Sequence, residues 1–228
     1  MLHGLARLAG VLVTIFGLSG ASAASMTFRA EPVGTASDCR KDCPKVIVAD
    51  GVITKTTPDD LAKFIRANVD DRLFRNVIFL NSPGGSVSPA MRLGVMFRKL
   101  GSTVIVGQVE HSREFGNDAK VGVPLQYGSC MSACVFALMG GKRRIVPEES
   151  EVGVHRIHSQ GAIDVASPDK RRMYLFADAD LVAQMRGYAR MMGVDPDLIN
   201  LAESVGPDRL HHLSDAEIRR YHLARRSL

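Results

Sequence analysis

The chain has 228 residues, 29 Lys and Arg against 24 Asp and Glu, a net charge of +5, 46% apolar and 23% charged residues. These proportions suit a folded globular domain and exclude disordered, collagen-like and coiled-coil chains, while the 21 Gly and 10 Pro follow no repeat period. The small positive charge gives no footprint for a nucleic-acid partner, and the length suits one domain with a sizeable core.

In chain order, Arg7 is the only charged residue of the first 28. Leu8 to Leu18 is an apolar run, and Ala21-Ser22-Ala23 is a small-x-small exit. Residues 1–23 therefore read as a cleavable signal peptide. The run is shorter than the roughly 20 residues that span a bilayer. The expected product is periplasmic or secreted, with no membrane span after cleavage.

Residues 24–44 read as an irregular lead-in, and 45–228 as one α/β domain. Lys45 to Ala49 is a short apolar strand. Thr57-Pro58-Asp59-Asp60 is a helix start, with a cap, a first-turn proline and acids at the positive dipole end. Asn76 to Leu80 is a second apolar strand, followed by Asn81-Ser82-Pro83-Gly84-Gly85 and a helix bearing Leu93, Met96, Phe97 and Leu100. Thr103 to Val106 is a third strand. Continuous apolar strands alternating with helices predict a parallel sheet covered on both faces. Residues 108–127 are polar and Gly-containing and read as an inserted long loop or hairpin. Ser132 to Met139 is a buried helix, Arg143 to Val154 two short strands around Pro147, and Lys170 to Met192 a long charged helix. Asp195-Pro196 opens another helix, and Ser214 to Glu217 is a capping box for the last. His211 and His212 are expected to be solvated beside a turn.

Four cysteines, Cys39, Cys43, Cys130 and Cys134, in an exported chain favour disulfides over zinc. Sequence allows three pairings. Cys130 and Cys134 lie four apart at a strand-to-helix turn. A regular helix would hold that pair poorly for bridging, so either a distorted first turn or a longer-range bond is expected. No histidine or cysteine spacing suggests a metal, and no cofactor is expected.

Two glycines after a buried strand let backbone N–H groups face a ligand at the carboxyl edge of a parallel sheet, as an oxyanion hole or a phosphate cradle. The Lys-[Ser/Thr] of a P-loop is missing. Ser132, entering an apolar helix, is either a cap or a nucleophile whose neighbours' N–H groups hold negative charge. A nucleophile needs a base, and His155, ending an apolar strand, could reach it; His158 lies shortly after.

The string Asn81-Ser82-Pro83-Gly84-Gly85, a serine opening an apolar helix, and a strand ending in His155 together resemble the Clp proteolytic-subunit family over about 46–217. The resemblance implies a ClpP/crotonase-like spiral of ββα units with a mainly parallel sheet. It implies a serine hydrolase, a peptidase, with Ser132 as nucleophile and His155 as base. Gly85, with Gly84, and Ala133 would be the oxyanion donors. The family's acid matches Glu203 by spacing, with Asp208 as runner-up. Departures are Ala133-Cys134 after the serine and the 108–127 insertion. An exported relative meets no ATP-driven unfoldase, so processive degradation is not implied. A peptide or protein substrate and a homo-oligomer with the Lys170 to Met192 helix at the contact are expected. A non-catalytic peptide-binding or assembly module on the same fold is the alternative. A crotonase-type acyl-CoA enzyme is the third reading, carried by shared fold alone.

Overall fold

The structure, a computed structural model, describes residues 24–33, 43–68, 72–110, 123–125, 127–160, 174–206 and 208–227. The signal-peptide reading and Cys39 lie outside these residues. The central sheet has the order β1 (Thr27–Pro32), β2 (Lys45–Asp50), β3 (Phe74–Asn81), β4 (Thr103–Val106), β8 (Arg143–Ile145). Strands β2, β3, β4 and β8 run parallel, and β1 is antiparallel to β2. Helix α1 (Thr57–Asn68) connects β2 to β3, and α2 (Val87–Lys99) connects β3 to β4. The fold class is the expected one, mixed α/β with a mainly parallel sheet.

The central stretches of β2, β3 and β4 are apolar because both faces of the sheet are covered there. In β2, Ile47 and Ala49 join the main core with Leu61, Ile78, Leu80, Leu93 and Phe97. Val46 and Val48, on the opposite pleat, form a second cluster with Phe79 and Val109. Helix α2 packs closely on α3 (Cys134–Met139). Gly94 makes this possible: a Cβ there would lie 2.6 Å from the carbonyl oxygen of Phe136, against which the Tyr188 hydroxyl also rests. Tyr188 donates to that oxygen at 2.7 Å, and burial pushes its phenol pKa up.

A second sheet stands at the carboxyl edge of the first. Its order is β12 (His211–His212), β9 (Glu151–Val154), β7 (Ser129–Met131), with β7 and β9 parallel. Two antiparallel pairs complete the strands: β5 (Gln108–Glu110) with β6 (Val123–Leu125), and β10 (His158–Gln160) with β11 (Tyr174–Phe176). Helices α4 (Ala179–Met191), α5 (Asp197–Ser204) and α6 (Asp215–Arg220) close the chain. The predicted capping box is present: Ser214 accepts from the Glu217 N–H, and the Glu217 carboxylate accepts from the Ser214 N–H at 2.8 Å.

Three expectations differ from the structure. The lead-in contains β1, whose backbone bonds to β2 need no marked apolar alternation. The Lys170 to Met192 helix begins only at Ala179, since the Asp178 side chain caps it by accepting from the Leu181 N–H at 2.8 Å. Before that cap, the bulky Tyr174-Leu175-Phe176 run forms β11. His211 is not solvated beside a turn. It sits in β12 against β9 and meets Glu217 at 2.8 Å.

Candidate active site

The loop after β3 is bound on both sides. Asn81 accepts from the Ser129 N–H at 2.9 Å and faces Asp50 through its amide nitrogen at 3.4 Å, tying β7, β3 and β2 together. The Ser82 N–H donates to the Ser129 carbonyl, and the Met131 N–H donates to the Ser82 carbonyl, so the loop continues as a strand against β7. Gly84 and Gly85 then adopt φ of 109° and 133°, which L side chains rarely reach. A Cβ on Gly84 would lie 2.9 Å from the Ser132 Cβ and 3.3 Å from the Ala133 nitrogen. The loop therefore lies directly on the turn that carries Ser132.

The donor groups divide clearly. The Gly84 N–H is taken by the Ser82 hydroxyl at 3.1 Å. Gly85 pairs with Ile53 through its neighbours, with the Ile53 N–H on the Gly84 carbonyl and the Ser86 N–H on the Ile53 carbonyl. The N–H groups of Gly85 and of Ala133, the residue preceding α3, have no acceptor among the described residues. Of the three expected oxyanion donors, Gly85 and Ala133 hold N–H groups open, whereas Gly84 supports the loop.

Ser132 is in the turn between β7 and α3, not inside the helix, with φ of 55°. That conformation is costly for a residue with a Cβ and persists only under restraint. The restraints are visible. The Ser132 N–H donates to the Gly153 carbonyl at 2.8 Å, and the Cys130–Cys134 disulfide brackets the residue with its Cα atoms 5.2 Å apart. The distorted first turn required for that bridge is the Ser132 turn itself. Cys43 is buried.

The β7–β9 register places Met131 opposite Gly153, so Ser132 directly follows one strand and His155 directly follows the adjacent one. Both line one apolar cavity with Val135, Phe136 and Met185. His155 Nδ1 lies 2.9 Å from the Arg156 carbonyl oxygen. That carbonyl can only accept, so Nδ1 carries the proton of the neutral ring and Nε2 is left as the basic nitrogen. Burial holds the His155 pKa below the usual range, repulsion from His158 adds to this, and the Arg156 carbonyl opposes it. No hydrogen bond joins Ser132 to His155 among the described residues.

The acids are elsewhere. Glu203 lines the same cavity, but its carboxylate accepts from the Ile157 N–H at 3.3 Å and pairs with Arg156 at 3.4 Å. Asp208 is exposed in the turn between α5 and β12. The Arg156 guanidinium also lies 4.0 Å over the Phe176 ring. His158 Nδ1 meets the same Arg156 carbonyl at 3.0 Å, and its ring is 5.2 Å from that of His155. Above Ser132 an open groove of about 510 Å³ runs between Gly85, Val87, His158, Phe176 and Leu181.

Against solved structures, the chain is similar to a mutant of the 1510-N membrane-bound stomatin-specific protease, at 16% identity over 79% of this chain and 78% of that one, with a TM-score of 0.52. The chain has the Clp-like fold. A second mutant of the same protease in complex with a substrate peptide is similar at 17% identity, covering 79% and 74%, with a TM-score of 0.48. ClpP1 from Listeria monocytogenes is similar at 18% identity, covering 78% and 88%, with a TM-score of 0.45. No family model and no curated protein sequence matches the chain.

Within this Clp-like fold, sequence reasoning brought Ser132, His155 and the glycine loop to one place. It missed Asn81 as the staple between strands, and Arg156 and Phe176 beside the histidine. The signal for Asn81 was its position at the end of a buried strand, where an amide can serve two neighbouring backbones. Nothing local marks Arg156, because its role depends on a carbonyl and on an aromatic ring 20 residues away.

Proposed function

We propose that the chain is an exported serine hydrolase acting on peptides. Ser132 Oγ attacks the scissile carbonyl and passes its proton to His155 Nε2. The Gly85 and Ala133 N–H groups hold the oxyanion, and His155 returns the proton to the departing amine. Water then attacks the acyl-serine by the same route in reverse. The observation that carries this reading is the packing of Gly84 against Ser132, which sets two unengaged N–H groups beside a serine held at φ 55°. Being named a protease, the solved neighbour supports the peptidase class.

The open groove suits an extended peptide laid along the Gly85 backbone. The apolar cavity behind Ser132 holds only about 10 Å³ and does not take a side chain as it stands. Selectivity therefore resides in the groove, at Val87, Phe176 and Leu181. Assembly as a homo-oligomer and action in the periplasm without an ATP-driven partner belong to the same proposal.

A fluorophosphonate probe tests it. The full chain is expected to label once and Ser132→Ala not at all, with peptide cleavage lost in parallel. Absence of labelling in a folded chain favours the second reading, a peptide-holding module without chemistry. The unmade Ser132–His155 hydrogen bond is the observation on that side, although such bonds are often long before substrate arrives.

A further inference from the structure

A basic cavity of about 730 Å³ opens at the end of the molecule opposite the Gly-Gly loop. It lies beyond the C-terminal end of α3 and beside the first residue of β8, whereas Ser132 precedes α3. Lys142, Arg143, Arg219 and Arg225 line it, with His222 at its side, and no Asp or Glu lines it among the described residues. All four cations are exposed. None has an ion-pair or side-chain hydrogen-bond partner among the described residues.

The frame beneath these cations is rigid. Arg144 donates to the carbonyls of Met139, Gly141, Met192, His222 and Leu223, which ties the end of α3 to the C-terminal segment. Burial lowers its pKa to about 10, still well above neutrality. The Arg225 N–H donates to the Arg144 carbonyl and its own carbonyl accepts from Val146, so the C-terminal segment pairs with β8 opposite Ile145. The pleat then puts Arg143 and Arg225 on one face. Arg226 points to Asp215 instead, so the nearby carboxylate is already neutralised.

We propose that this cavity binds a compact, multiply charged phosphate anion, either a soluble diphosphate-type group or the phosphate headgroup of an anionic lipid. Four cations held together without a counterion repel one another, and an anion relieves that repulsion while gaining fork-shaped guanidinium hydrogen bonds. The cavity is a recess of about 730 Å³, which has room for one discrete anion among the four cations.

Calorimetric titration of the full chain with inorganic pyrophosphate at low salt tests the proposal. Saturable one-site binding that weakens steeply with added salt is expected, reduced at least tenfold in the Arg143→Gln, Arg225→Gln double variant and unchanged in Ser132→Ala. Should the double variant fail to fold, Lys142→Gln alone, at an exposed position, is expected to weaken binding severalfold. Competition identifies the source of the phosphate. Displacement by phosphatidylglycerol vesicles but not phosphatidylcholine vesicles assigns the headgroup, read as the difference between wild type and variant so that the apolar segment at 8–18 cancels. Failure of both vesicles to displace assigns a soluble anion. No saturable pyrophosphate binding, equal binding by the variants, or equal affinity for a hexaglutamate peptide overturns the proposal.

Discussion

At the scale of single residues, the main departure from a three-residue catalytic set is what holds His155. Its Nδ1 faces the Arg156 carbonyl, not a carboxylate. Glu203 instead fixes the Arg156–Ile157 segment from which that carbonyl projects. Glu203→Gln keeps the hydrogen bond from Ile157 and removes only charge. It is expected to retain at least a tenth of kcat/KM, where losing a carboxylate that orients the base costs about 10⁴-fold. A thousandfold loss in a folded variant would show that Glu203 turns to His155 when substrate binds. The pH profile gives a second check. In the proposed mechanism His155 acts as neutral imidazole, and burial disfavours its charged ring, so the acid limb of kcat/KM should fall below the usual His value of about 6.5. His158→Gln removes a like charge and should move that limb upward. The sequence showed Ser132, His155 and the glycines because each ends or starts an element with a distinct pattern. It could not show that His155 Nδ1 faces a backbone carbonyl and not a carboxylate, since carbonyls are present at every residue.

At the scale of elements, the turn from β7 to α3 concentrates the restraint. Ser132 has the only positive φ of a non-glycine residue besides His222 among the described residues, and the Cys130–Cys134 bridge spans it. Both cysteines are fully buried, so the bridge acts as a staple not readily reached by reductant. Intact-mass analysis after alkylation without reduction is expected to leave Cys130 and Cys134 unmodified. Replacing both by Ala should cost about 2 kcal/mol by loop closure over so short a ring, and should lower kcat more than it raises KM, because Ser132 is then free to leave its turn. The parallel strands, α2 and the last capping box were legible because continuous apolar runs, helical spacing and cap residues are local signals. Strand β1 and the β10–β11 pair were not, since their stability comes from pairing with residues distant in sequence.

At the scale of the whole molecule, the fold changes the argument for assembly. Read as one helix, Lys170 to Met192 carried more apolar surface than a monomer needs. In the structure part of that surface is internal: Met185 is fully buried and Tyr188 and Met192 nearly so, all three in the main core. The surplus divides between two places, β11, where Leu175 is 56% exposed, and the end of α4, where Met191 is 65% exposed. Exposed apolar residues are where a second copy would gain most by burial. Phe176 is less suited to probing this contact because it supports Arg156. Sedimentation velocity on the full chain is therefore expected to show a multimer in the micromolar range. Leu175→Asp should shift it toward smaller species with the thermal unfolding midpoint of the domain retained. Met185→Asp should instead give unfolded protein, because it places a charge in the core. A wild-type chain that sediments as a monomer across that range would remove self-association from the proposal.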